Sequence, residues 1–110
     1  MGIKEQIDPA RLEELSALGD EFINEVLTAV KSSGMEMLSK YHAAVAANNT
    51  DEIKLHIHSL KGAILNVGLK DVSDPIQELN NQAKAGNFDA VQAGFPAFEE
   101  RFKAILALID

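Results

Sequence analysis

The sequence predicts an all-α protein, an antiparallel four-helix bundle with an additional short N-terminal helix. Three observations lead there. Apolar residues recur at alternating spacings of three and four through most of the chain, runs of β-branched residues in strict alternation are missing, and helix-starting and helix-stopping residues divide the chain into segments with short connections. The 110 residues suit one compact domain spanning 1–110 and are too few for two.

Taken in order, Asp8-Pro9 reads as a helix start, with Asp as the cap and Pro in the first helical position. Leu12, Leu15 and Leu18 then share one side of a short helix that Gly19 ends, and this helix is expected across one end of the bundle. A second helix starts at Asp20 and turns Phe22, Ile23, Val26, Leu27 and Val30 inward until Ser32-Ser33-Gly34 interrupts it. A third carries Met35, Leu38, Tyr41 and Val45 and stops at Asn48-Asn49. Thr50 reads as the cap of the fourth, with Asp51 and Glu52 suiting the positive end of its dipole. The core stripe of this helix is Ile53, Ile57, Leu60, Ile64 and Val67, and Gly68 lies near its end. Asp74-Pro75 reads as the start of the fifth helix, with Gln77 placed as the return partner of a capping box. Its stripe is Val72, Ile76, Leu79 and Ala83, and Gly86-Asn87 closes it. The last segment carries Phe88, Val91, Phe95, Phe98, Phe102, Ile105 and Ile109. Its stripe keeps phase across Pro96, which predicts one kinked helix instead of two.

Composition narrows the function classes. Hydrophobic residues make up 46% and charged residues 25%, the balance of a soluble globular protein. The net charge of −7 and the lack of a dense Lys/Arg cluster argue against nucleic acid and against an anionic membrane surface as partners. No apolar run approaches the roughly 20 residues that span a bilayer. Met1 to Gln6 shows no apolar signal segment, and Gln6 breaks the myristoylation pattern, so a cytoplasmic location is expected. Without cysteine there is no disulfide, thiolate metal site or cysteine nucleophile.

The chemistry concentrates in His56-Ile57-His58-Ser59-Leu60-Lys61-Gly62. A helix turns about 100° per residue, so His58 points about 140° from the core stripe, toward solvent. Lys61 and Gly62 follow at three and four residues and flank it on the same face, with Leu55, Leu65 and Leu69 as an apolar rim. An imidazole with an ordinary pKa of ~6.5 is largely neutral and nucleophilic near pH 7. An ammonium beside it can offset the charge of an incoming phosphoryl group. A helical glycine costs ~1 kcal/mol relative to alanine, which suggests that something approaches the backbone there, and exposed leucines offer a partner surface to bury. His56 and His58 lie two apart, about 200° around the helix, and cannot grip one ion, so no metal site is expected. His56 reads as a flank residue at a bundle edge, and His42 as a partly buried structural histidine.

The stretch His58-Ser59-Leu60-Lys61-Gly62-Ala63, followed by Asn66, Val67 and Gly68, resembles the signature of histidine-containing phosphotransfer (HPt) domains. Glu78 matches the family's acidic position in the next helix, Ala85-Gly86-Asn87 its turn, and Ile7-Asp8-Pro9 a common opening. Ile64 and Leu65 stand where the family mostly has small residues, and Leu69 where it often has Ala. The resemblance implies a multistep two-component phosphorelay. His58 would accept a phosphoryl group from a receiver domain's phosphoaspartate and pass it to another receiver. Lys61 would be its electrostatic helper, and Gly62, Leu55, Leu65 and Leu69 would form the docking surface. The implied partners are response-regulator receiver domains and a hybrid sensor histidine kinase, with Mg²⁺ in the receiver and no cofactor on this chain, which would act as a monomer. No nucleotide-binding glycine pattern is present, so the chain reads as a phosphocarrier and not an autonomous kinase. The alternative is an interaction module that binds receivers without transferring phosphate.

Overall fold

The computed structural model describes residues 2–109, and Met1 of the N-terminal stretch read above lies outside them. The described residues form a short 3-10 turn, Ile3–Gln6, followed by five α-helices: α1 (Pro9–Ser16), α2 (Asp20–Ala46), α3 (Thr50–Val67), α4 (Lys70–Lys84) and α5 (Phe88–Leu106). Helices α2 to α5 make an all-α bundle in which α3 packs between α2 and α4, while α5 closes the ring against α4 and α2. Short connections reverse the chain each time. Asn48 and Gly86 adopt positive φ in two of these turns, and Gly19 does so where α1 passes directly into α2.

The core is the merged apolar stripes. In α3, Ile53, Ile57, Leu60, Ile64 and Val67 are each at most 2% exposed. From α5, Phe95, Phe98 and Phe102 fill the centre, with the Tyr41 ring of α2 stacked on Phe95 at 3.6 Å between centroids. Side chains of this size dominate core energetics, because each buries 150–250 Å² or so.

The N-terminal segment closes one end of the bundle. Asp8 caps α1 by accepting from the Arg11 N–H, and Pro9 occupies the first turn. Ile7 pairs with Leu69 in an isolated antiparallel bridge, and Asp8 N–H donates to the Gly68 carbonyl at 2.7 Å. Arg11 Nε donates to the Asn66 carbonyl, also at 2.7 Å, and so satisfies one of the orphan acceptors at the end of α3. Gly68, left-handed at φ 83°, terminates α3.

Several expectations are corrected. The segments read as second and third helices are one 27-residue helix, which at 1.5 Å per residue spans about 40 Å, close to the molecule's long dimension of 42 Å. Gly34 does not break it: the glycine lies at the close approach of α2 to α5, where an added Cβ would stand 2.9 Å from Phe102 Cζ. Helix α4 starts at Lys70, so Asp74 is no cap and Pro75 lies inside the helix. Val72 precedes Pro75 and Ile76 follows it, and both are fully buried; keeping the two in phase outweighs the hydrogen bond that proline cannot donate. Asn49, not Thr50, caps α3, accepting from the Glu52 N–H. Leu18, 67% exposed, sits in the turn after α1, and Phe22 and Met35 are also exposed. Helix α5 runs through Pro96 as one helix but ends at Leu106. Ile109 lies beyond it and is still buried, with its carbonyl held by Lys31 Nζ at 2.7 Å.

Candidate functional site

The regularity of α3 sets the site. Its core stripe is locked between α2 and α4, its start is capped by Asn49 and its end by Gly68 and Arg11, so the rotation of the helix is fixed and its opposite face must look outward. His58 is on that face and exposed, and its ring makes no hydrogen bond or ion pair among the described residues. Gly62, one turn later, is also exposed, and a Cβ added there would meet no atom within 4 Å. Lys61 is half-buried and carries no carboxylate partner among the described residues. Leu55 and Leu65, 54% and 40% exposed, bracket His58 one turn before and two turns after it.

Leu69 is the exception and a correction. It is fully buried, lies past the end of α3 in the connection to α4, and packs in the core while its backbone pairs with Ile7. Extrapolating the α3 spacing to position 69 fails because Gly68 turns the chain left-handed and swings Leu69 inward. The apolar rim therefore consists of Leu55 and Leu65. Ile64, a departure from the small residue common in the family, is a core residue.

The other two histidines have partners. His56 is 12% exposed at the edge facing α2, with Nε2 2.8 Å from Glu52 Oε2. The reading of His42 as partly buried is corrected: its side chain is 55% exposed, and Nε2 lies 2.8 Å from Glu99 Oε2 on α5. Its neighbour Tyr41 takes the interior position, where burial and the Glu99 charge push the phenol up to about 12. His58 is thus the one histidine of the three without an acidic partner among the described residues. No three His, Asp or Glu side chains among those residues converge as a metal would require.

The sequence reading passed over Lys54. It lies one turn before His58, and its Nζ sits 5.9 Å from the centre of the Phe88 ring at the start of α5. The spacing of four from His58 was the available signal. Asn80 was also missed: it is buried at 2% exposure and its amide nitrogen has no partner among the described residues, a placement no sequence pattern marks.

The arrangement can present one exposed, unencumbered imidazole to another macromolecule, with a cation beside it and clear space over the helix backbone. Against known families, the model described as "Hpt domain" matches residues 25–108, which takes in α3 to α5 and most of α2. Comparison with curated proteins and with solved structures finds no significant match. Together with the bundle and the His58 face, the match over most of its length places the chain in the Hpt domain family, the histidine-phosphotransfer modules of phosphorelays.

Proposed function

We propose that this chain is a phosphocarrier in which His58 takes a phosphoryl group from the phosphoaspartate of one receiver domain and gives it to the aspartate of another. The observation that carries the reading is the open, unpartnered imidazole at His58, with Lys61 and a clear Gly62 on the same face.

In the proposed step, the ring nitrogen of neutral His58 that bears no hydrogen attacks the phosphorus. The N–P bond forms as the O–P bond to the receiver's aspartate breaks, and that carboxylate leaves with the bonding pair. The phosphorylated ring keeps its other N–H and carries the positive charge, so no base is needed on this chain. The reverse sequence on a second receiver returns His58 to its starting form. Lys61 offsets phosphoryl charge during the transfer. The Mg²⁺ such transfers use is expected in the receiver's acidic pocket. Gly62 leaves room for the receiver's backbone, and Leu55 and Leu65 are the apolar surface it buries. The phosphoryl supply in this reading is a hybrid histidine kinase, and a monomeric protein in the cytoplasm suits that role.

The test is incubation with an Mg²⁺-loaded, phosphorylated receiver domain. The proposal predicts an acid-labile, base-stable label that His58→Gln abolishes. Label that survives this substitution removes His58 as acceptor, and stable receiver binding without label favours the non-transferring module.

A further inference from the structure

Besides Lys61, a second cation stands on the His58 face, at the opposite end from it. Lys54 is four residues before His58, about 40° around the helix, so the two share a face one turn apart. Helical side chains lean toward the N-terminus. The Lys61 side chain therefore leans over the turn that carries His58, and the His58 ring over the turn that carries Lys54. Lys54 in turn reaches down to Phe88, whose half-buried ring seats the ammonium at 5.9 Å, a cation–π contact at the outer limit of its range.

Its place on the His58 helix sets this lysine apart. The chain's net charge is −7, and four cations are tied down: Lys40 to Glu36, Arg11 to Glu14, Lys103 to Glu99, and Lys31 to a backbone carbonyl. Lys4, Lys70, Lys84 and Arg101 have no ion pair among the described residues either, but they lie outside α3, so Lys54 and Lys61 are the cations that the His58 helix itself presents. Lys54 forms no ion pair among the described residues; Glu52 is engaged by His56, and Asp51 does not reach it. An exposed lysine seated on an aromatic ring instead of a carboxylate is open to an approaching anion.

We propose that Lys54 is a docking residue that engages the acidic rim of the receiver's phosphoaspartate pocket and governs association, while Lys61 acts on the transfer itself. This rests on the phosphocarrier reading. Charges at the rim of an interface set encounter rates and their salt dependence more than they set chemistry, and Lys54 is a turn too far from His58 to touch the transferring phosphoryl group.

The test separates loading from docking. Phosphoramidate, a small N–P donor, charges wild type, Lys54→Glu, Arg101→Glu and His58→Gln without any partner. Donation from each charged protein to an Mg²⁺-loaded receiver domain is then followed against receiver concentration, at low and high salt. Arg101, exposed on α5 away from α3, is the control for net charge. Lys54→Glu should load like wild type, raise KM for the receiver roughly three- to tenfold, leave kcat within about twofold, and flatten the salt dependence. Arg101→Glu should behave as wild type. An unchanged KM in Lys54→Glu, a loss confined to kcat, or an equal loss in Arg101→Glu overturns the proposal. Failure of wild type to load, or loading that persists in His58→Gln, instead sinks the phosphocarrier reading beneath it.

Discussion

Gly34 and Gly62 occupy the same kind of place, the interior of a long helix, and meet opposite surroundings. At Gly34 an added Cβ would stand 2.9 Å from Phe102 Cζ and 3.2 Å from Leu106 Cδ1; at Gly62 it would meet nothing within 4 Å. Each glycine costs its helix ~1 kcal/mol relative to alanine. At Gly34 the chain regains this by letting α2 and α5 approach until the Phe102 ring packs on bare backbone. At Gly62 nothing within the described chain uses the space. In the function proposed above, that space belongs to a docking receiver.

The same contrast between covered and open positions sets the size of each expected effect. The largest separates two leucines that the α3 periodicity places on one face. Leu69→Ala should destabilise by about 2–5 kcal/mol, because its side chain is fully enclosed. Leu65→Ala, 40% exposed, should change stability by no more than about 0.5 kcal/mol while weakening association with a receiver. Denaturant midpoints at constant m compare them directly; similar losses would mean that Leu65 is covered too.

Next comes the glycine pair itself. Gly34→Ala should cost about 1–2 kcal/mol, overpacking against Phe102 outweighing the gain in helix propensity. In a Phe102→Leu background that penalty should vanish, so a double-mutant cycle that returns additive values would acquit the ring. Gly62→Ala should stabilise the fold by up to ~1 kcal/mol and yet slow donation to a receiver. A variant both more stable and fully active would show that the open space serves no partner.

The smallest effect concerns a covered titratable group. Tyr41 is buried, and its phenol is pushed from 10 to about 12 by that burial and by the Glu99 charge. Above pH 10 the unfolded chain loses a proton that the folded chain retains. The contribution is therefore intact below pH 10 and lost as the pH climbs toward 12. Tyr41→Phe should flatten this alkaline decline, seen as a smaller drop in Tm over that interval; an identical decline in both proteins would place its origin elsewhere.

How much of this was legible in the sequence depended on whether a residue's neighbours lie in its own helix. The α3 face could be read because Ile53 to Val67 repeat with the helical period, and a fixed core stripe dictates where His58, Lys61 and Gly62 point. Gly34 and Pro75 were misread as boundaries because local propensity disfavours both. What overrides it, Phe102 against Gly34 and the burial of Val72 and Ile76 on either side of Pro75, lies in tertiary packing. Leu69 was misplaced by continuing a helix one turn past a left-handed glycine. Tyr41 was placed on the apolar stripe, but His42 beside it was read as partly buried; only the pairing of α2 with α5, which stacks Tyr41 on Phe95 and sets His42 against Glu99, leaves the imidazole exposed. The seat of Lys54 on Phe88 joins residues 34 apart in sequence and has no local signature.

The most direct measurement is the phosphorus NMR spectrum of the protein after treatment with phosphoramidate. A single phosphohistidine resonance is expected, absent from His58→Gln and unchanged in His42→Gln and His56→Gln. A resonance that persists without His58, or that disappears only when His42 or His56 is replaced, would contradict the assignment of His58 as phosphoacceptor.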